Sequence, residues 1–255
     1  MRAPLPTVRV MTWNIHGTIA RRKPWDLSRI IAFIRRIDPD IVALQEIDSR
    51  RRPRDVDPFL ALQEALGRHG VGAKSIVTAD GEYGQMLVSR WPLQATEIHD
   101  ISYPEREPRR VIKTDIVTPR GELRVLATHL GLATHERQGQ AKRLLDIAGR
   151  TAATTIVMGD FNDWFWPGSV RKKLSWEFPG RTRYRTFPSV CPLLRLDRIY
   201  CRPGRALIAD FIDPMARTIS DHLPVIADVL PVESETAGPS SLAFHATGVP
   251  AERTA

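Results

Sequence analysis

The chain alternates short apolar runs with polar turns, and the period of the runs changes along its length. Residues 8–14 read as a strand, and 41–45 as a second, short buried one. Between them Leu27, Ile30, Ile31, Ile34 and Ile37 recur at helical spacing. Residues 26–37 are therefore expected to form a helix, with Asp26 as its N-cap and Asp38-Pro39 as its stop. A second helix-like stretch covers residues 59–66. Strands are predicted at 73–78, 85–89, 94–101, 110–117 and 122–128, and Gly84, Trp91-Pro92 and Pro119-Arg120-Gly121 mark turns between antiparallel hairpins. Ala141, Leu144, Leu145 and Ala148 place a further helix over 135–150. Strands at 155–158, 183–187, 196–201, 206–211 and 223–230 complete the pattern. Helices are too few for an all-parallel sheet and strands too many for one open sheet, so two mixed sheets packed face to face, with helices outside, are predicted. From Pro231 the sequence turns small and polar, and 231–255 is expected to be a flexible tail on a globular unit of residues 1–230.

Polar residues interrupt the apolar pattern at particular places. In "TTIVMGDFNDW", residues 154–164, a buried-looking strand runs straight into Asp160, Asn162 and Asp163. Asp and Asn favour turns by bonding their own backbone, but the ends of buried strands are also where α/β proteins gather catalytic groups. For one strand both readings stand. The pattern recurs, however: "MTWNIHG" carries Asn14 and His16, "VALQEID" carries Glu46, "VLATHLG" carries His129, "LLRLDRIYC" carries Asp197, and "TISDHLPVIADV" carries Asp221 and His222. Six apolar segments each delivering Asn, Asp, Glu or His favour a shared site.

Carboxylates and amides without converging thiols suit a hard, oxygen-preferring cation, Mg²⁺ first and Mn²⁺ as a substitute. Histidines nearby suit proton transfer, or donation to an anionic oxygen. A cation bridging a phosphate oxygen, a carboxylate-positioned water and imidazole donors would together hydrolyse a phosphoester.

Composition narrows the partners. The 255 residues carry a net charge of +8 with a pI of about 10.0, which favours anionic partners. The excess is clustered at 21–23, 50–54, 171–173 and 181–185, leaving nucleic acid, anionic membrane headgroups and soluble phosphate esters open. No apolar run approaches the roughly 18 residues that would span a bilayer, and no secretory h-region is expected near the start. Cys191 and Cys201 are expected as free thiols in a cytoplasmic monomer.

Taken in order, "TWNIHG", "LQE", "THL", "GDFN", "LDRIY" and "SDHLPV" resemble the endonuclease/exonuclease/phosphatase superfamily of DNase-I-like fold, across residues 10–229. The resemblance implies an α/β (α+β) four-layer sandwich. It also implies roles. Glu46 resembles the principal Mg²⁺ ligand, with Asn14 beside it and Asp221 completing the metal side. Asp160 and Asn162 resemble the pair that orients the attacking water and the scissile phosphate. His222 resembles the imidazole acting on phosphate or water, with Asp197 fixing its tautomer, and His129 the second histidine of nuclease and phosphatase branches. Either Asp160 or His222 is left as general base. Family members often carry Glu-Pro-Arg where "EREPRR" stands, which would put Arg109 on substrate phosphate. His16 occupies a place where abasic-site nucleases have an acid, so it would meet phosphate rather than Mg²⁺. The run from "GDFNDW" to "PLLRLDRIYC" is similar to small bacterial metal-dependent hydrolases, favouring a lipid-derived or small soluble phosphate ester over DNA cleavage. A non-catalytic binding module of the same fold is the third reading. Trp164, Phe165 and Trp166 are read as anchors of the Asp160 loop, with base stacking and lipid insertion as alternatives.

Overall fold

Residues 7–16, 26–50, 57–150, 153–164 and 169–232 are described by a computed structural model. The chain threads β1 (Val8–Asn14), α1 (Leu27–Ile37), β2 (Ile41–Asp48), α2 (Pro58–Leu66), β3 (His69–Thr78), β4 (Gly81–Ser89), β5 (Leu93–Asp100), β6 (Arg110–Thr118) and β7 (Gly121–His129). It continues through α3 (Thr134–Ala148), β8 (Thr154–Asp160), α4 (Ser169–Glu177), β9 (Gly180–Arg181), β10 (Asp197–Arg202), β11 (Leu207–Ile212) and β12 (Val225–Val229). The strands form two six-stranded sheets, ordered β11-β12-β1-β2-β4-β3 and β5-β6-β7-β8-β10-β9. In each sheet one central pair is parallel, β1 with β2 and β7 with β8, and the other pairings are antiparallel. The parallel pairs are the ones joined through α1 and α3, because a parallel return needs a crossover.

Period-two alternation sorts the side chains into layers. Val10, Ala43 and Leu87 of the first sheet meet Ile112, Val125, Met158 and Ile199 of the second in a central core. Their neighbours Met11, Trp13, Val42 and Leu44 face outward onto Ile30, Phe33 and Ile34 of α1 and Leu62 of α2. Leu126, Val157 and Tyr200 likewise face Ala141 and Leu144 of α3 and Leu174 of α4. The result is the pair of face-to-face sheets with helices outside that the patterning predicts, and the four-layer α/β sandwich that the resemblance implies. Asp26 caps α1 by accepting from Arg29 N–H, and Asp38 ends it in the left-handed region, as expected.

Four local expectations change. Gly84 is not a turn but lies inside β4, where an added Cβ would stand 2.3 Å from the carbonyl oxygen of Ala73. The turn falls instead between Thr78 and Gly81. The strand predicted at 183–187 is replaced by the two-residue β9, after which Thr hydroxyls take over the pairing. Ile199 N–H donates to Thr182 Oγ1 and Asp197 N–H to Thr186 Oγ1, so past the backbone bond from Thr182 N–H to Ile199 O the segment follows β10 through hydroxyls, and its own backbone bridge is between Phe187 and Leu194. Helix α4 was not predicted. β2 does not end at Glu46 but runs to Asp48 through a register shift between Leu44 and Ile47.

The cysteines are both free, Cys191 exposed and Cys201 buried. Among the described residues no helix is long and apolar enough to cross a membrane. The basic run 21–23, residues 51–54, Phe165, Trp166 and the tail from 233 lie outside the described residues.

Candidate active site

Strand polarity gathers the site at one edge of both sheets. β1, β7 and β8 end there, and β10 and the turn into β12, antiparallel to their neighbours, begin there. Register puts His129 and Asp197 on either side of Asp160 in the second sheet. Across the gap, Asn14 Nδ2 donates to Glu46 Oε1 at 2.9 Å and to Asp160 Oδ2 at 3.0 Å, so one amide ties the sheets together. Glu46 reaches that position because it sits in the β2 bulge with φ 60°, and a bulge re-aims a side chain that regular pleating would direct elsewhere.

The Asp160 loop answers both readings of "GDFNDW". Gly159 has φ 153°, and a Cβ on it would stand 1.9 Å from Thr128 O, so only glycine permits β7 and β8 to close at this point. Asp160 Oδ1 accepts Asn162 N–H at 2.9 Å, which is the turn, while its Oδ2 faces the site. Asn162, at φ 49°, donates through Nδ2 to Leu130 O at 2.9 Å. Asp163 belongs to neither role, since its Oδ2 accepts Arg171 N–H in the first turn of α4. Trp164 is 44% exposed, so it does not anchor the loop in the core as expected.

Asp197 and His222 form a buried dyad with Oδ2 and Nδ1 2.8 Å apart. Burial alone would lower the His222 pKa, but the Asp197 charge and hydrogen bond, with Asp160 and Asp221 beyond, outweigh it and raise it to about 10. His222 is held in place from several sides. Its backbone N–H donates to Ser220 Oγ at 3.1 Å, its carbonyl accepts from Trp13 Nε1 at 2.9 Å, and Phe187 packs against its ring at a tilt of 49°, with centroids 4.9 Å apart.

His129 has the opposite electrostatics. Burial, then the charge of Arg109, lowers its pKa to about 4, which leaves the ring neutral near pH 7. Its Nε2 lies 3.6 Å from Asp160 Oδ2 and 3.9 Å from Glu46 Oε1. Burial pushes Glu46 upward, but His16, His129 and Asn14 outweigh it and hold the carboxyl at about 2. His16 Nδ1 stands 3.4 Å from Glu46 Oε2 and 3.6 Å from Asp221 Oδ1, against the carboxylates.

Nine of the ten residues singled out in the sequence are thus brought together facing the site. Arg109 departs from its expected role: it is 4% exposed, packed behind His129 and paired with Glu107, rather than open to a ligand. Sequence reasoning missed Tyr83, Thr186 and Ser220. Tyr83 lies opposite Asp48 just past the bulge, and burial, then Glu46 and Glu107, raise its hydroxyl well above the ordinary value. Its signal was "EYGQ", a polar interruption in an otherwise apolar strand. Thr186 and Ser220 act on the dyad through its backbone, which no side-chain pattern discloses.

Two clusters are suited to a divalent cation. Asp160, Asp197 and His222 offer ligand atoms within 4.8 Å of one another. Glu46 and Asp221 offer carboxylate oxygens beside Asn14, and Asp221 Oδ1 is buried without a hydrogen bond among the described residues, its nearest charged neighbour being His16 Nδ1 at 3.6 Å. A carboxylate oxygen without a hydrogen bond, beside a second carboxylate, fits a hard cation.

The sequence profile of the endonuclease/exonuclease/phosphatase family matches residues 11–222. The uncharacterized protein YbhP of Escherichia coli strain K12 is 31% identical over 242 residues, covering 87% of this chain and 95% of that protein. Among solved structures, an endonuclease/exonuclease/phosphatase from Beutenbergia cavernae is similar at a TM-score of 0.71 and 23% identity, over 88% of this chain and 71% of its own. The human nocturnin catalytic domain with bound sulfate is similar at 0.64 and 18%, over 90% and 94%. The mannosyl-6-phosphatase Bt3783 of Bacteroides thetaiotaomicron is similar at 0.65 and 16%, over 87% and 98%. With the fold and the profile match in agreement, the chain belongs to the endonuclease/exonuclease/phosphatase family.

Proposed function

We propose that the protein is a Mg²⁺-dependent phosphoester hydrolase of phosphodiesterase or phosphatase type, acting on a lipid-derived or small soluble phosphate ester. Members of its family typically hydrolyse phosphoesters. The observation that carries the reading is the position of Asp160 Oδ2, 3.0 Å from Asn14 Nδ2, 3.6 Å from His129 Nε2 and 3.9 Å from His222 Nδ1. One carboxylate oxygen thereby bonds the metal-side amide and stands within 3.9 Å of both histidines, which a binding module has no need to combine. The similarity to a mannosyl-6-phosphatase supports a small phosphate ester. Two free thiols suit a cytoplasmic enzyme, which we take to be a monomer.

Glu46, Asn14 and Asp221 would hold the cation, which when bound supplies Lewis-acid stabilisation of a phosphate oxygen. Asp160 Oδ2 is placed to align the attacking water and accept its proton. His222, already an imidazolium near pH 7, donates to the phosphate, and Asp197 fixes its orientation through Nδ1. With His222 charged, Asp160 would be the acceptor; burial also raises the Asp197 carboxyl, so the proton is shared within the Asp197–His222 pair. His129 and Asn162 donate from the second sheet, and His16 stands at the rim beside the carboxylates.

The test is hydrolysis of a panel with Mg²⁺, Mn²⁺ or EDTA: a chromogenic bis-phosphodiester, sugar phosphates, glycerophosphodiesters, phosphoinositides, plasmid and abasic DNA, and RNA. Metal-dependent turnover of a small or lipid phosphate, lost in Glu46→Ala, is expected. Turnover confined to DNA would replace the substrate assignment, and turnover unchanged in Glu46→Ala would remove the metal-side assignment.

A further inference from the structure

Arg109 presents an unusual arrangement: a buried guanidinium set directly against a buried histidine, where a carboxylate is the commoner partner of a catalytic imidazole. Its Nη1 lies 3.0 Å from His129 Nδ1. A guanidinium has five donors and no acceptor, so this contact is a hydrogen bond only if Nδ1 carries a lone pair. The neutral ring then bears its single proton on Nε2. Turning the ring over would put a carbon against the guanidinium and forfeit the bond.

Arg109 is fixed in this place. Its backbone N–H donates to Ser102 Oγ at 3.0 Å, its carbonyl accepts from Ile101 N–H at 3.0 Å, and Nη1 also meets Glu107 Oε1 at 3.0 Å. Its Nε is buried without a partner among the described residues, so the side chain is aimed at His129 at the expense of its own full satisfaction. The consequence appears on the other side of the ring. Nε2 stands 3.2 Å from Asn162 Nδ2, a contact that would be a hydrogen bond only in the opposite tautomer, so two donor-only neighbours compete for the ring's one lone pair. The charged Arg109, closer at 3.0 Å, makes the stronger bond, and Asn162 Nδ2 keeps its donation to Leu130 O at 2.9 Å. Two donors this close cannot bond each other, but both can point at one acceptor placed between them.

We propose that Arg109 is a positioning residue: by donating to Nδ1 it locks His129 as the Nε2–H tautomer, so that His129 and Asn162 Nδ2 form a preset pair of donors to one non-bridging phosphoryl oxygen. The inference rests on the phosphoester reading of the site. It makes His129 a fixed hydrogen-bond donor rather than the acid that protonates the leaving oxygen, and it assigns Arg109 an effect on substrate through another side chain. Opposed partners thus sort the two histidines: Arg109 puts a lone pair on Nδ1 of one, and Asp197 a proton on Nδ1 of the other.

The full chain labelled with ¹⁵N-histidine tests this without substrate. The His129 signals, assigned by their absence from His129→Asn, are expected to show a lone-pair Nδ1 and a protonated Nε2 in the wild type. A wild-type Nδ1 that carries the proton overturns the proposal, and this measurement needs no Arg109 variant to fold. In Arg109→Met, of similar reach but without donors, the signals are expected to move toward the other tautomer or a mixture. On the most active panel substrate kcat is expected to fall about tenfold or more with KM within about twofold, since one preset donor is commonly worth about a hundredfold. Arg109→Lys, which keeps a donor-only cation, is expected to restore the Nε2–H tautomer and part of kcat. A raised KM with an unchanged tautomer would show that Arg109 binds substrate directly and overturn the proposal. If no phosphoester is turned over at all, the functional reading fails, while the nitrogen signals still decide the tautomer.

Discussion

At the start of β1, Arg9 donates through Nε and Nη2 to the two oxygens of Asp228 at 2.7 and 2.9 Å, and its backbone N–H donates to Asp40 Oδ2 at 2.8 Å. At the end of the same strand, Asn14 leads into Glu46, Asp160, Asp197 and His222, where Asp197 Oδ1 and Asp221 Oδ1 are buried and accept nothing among the described residues. Both ends bury polar groups, though Glu46 and Asp221 at the second are partly exposed. At the first, fork-shaped donors meet fork-shaped acceptors across the β1–β12 ladder, and the charges are paired. At the second, carboxylates crowd one another and leave acceptors open, an arrangement that opposes folding unless a cation and an anionic substrate complete it. Satisfaction of buried polar atoms therefore separates the structural end of the strand from the functional one.

The comparison breaks most sharply under substitution. Asp160→Asn is expected to lower kcat by about a thousandfold or more while leaving the melting temperature unchanged or raised, because a crowded charge is removed. Thermal melts alongside panel assays check this, and a large fall in melting temperature would move Asp160 to the structural class. Arg9→Met is expected to do the reverse. Removing one partner of a buried pair costs about 3 kcal/mol or more in denaturant unfolding, with kcat per folded molecule unchanged. Converting Arg9 and Asp228 together to apolar residues should recover most of the loss, since the stranded charge is gone. A cation should sharpen the contrast further. Mg²⁺ at about a hundred times its Kd is expected to add about 2.7 kcal/mol to wild-type stability and nothing to Glu46→Ala, with Arg9→Met keeping the same increment. Equal stabilisation of Glu46→Ala would place the cation elsewhere, the Asp160, Asp197 and His222 cluster being the alternative.

The same contrast accounts for what the sequence disclosed. Layers, crossovers and most strands were legible because period-two and helical spacing report directly on which face is buried. Site residues were legible because Asn14, His129, Asp160 and Asp197 interrupt apolar strands, and an uncompensated polar residue there needs a reason. Helix α4 was not, because only Val170 and Leu174 of its residues point inward while Trp176 is exposed, too short a stripe to register. The 183–187 strand was overread because Thr, Tyr and Phe suit strands, whereas Thr182 and Thr186 pair with β10 through hydroxyls. The burial of Arg109 was illegible for a similar reason: a basic residue among "EREPRR" looks like surface until β6 and β7 bring it against His129.

The smallest expected effect distinguishes the two ends by pH. His222 has its folded pKa raised to about 10 from an ordinary 6.5, so the stability its proton contributes is fully present below about 6.5 and is lost as pH rises through 10. Arg9 is raised above an already high value by its hydrogen bond to Asp228 and does not titrate in that window. The stability difference between wild type and His222→Gln, measured by denaturant unfolding in EDTA, should accordingly shrink as pH rises from 6.5 to 10. The difference between wild type and Arg9→Met should stay flat across the same range. EDTA matters because a cation beside Asp221 would compete with the imidazolium for the same carboxylates. A flat His222 difference would mean that the ring is neutral in the folded protein, and would return the proton-accepting role to His222 in place of Asp160.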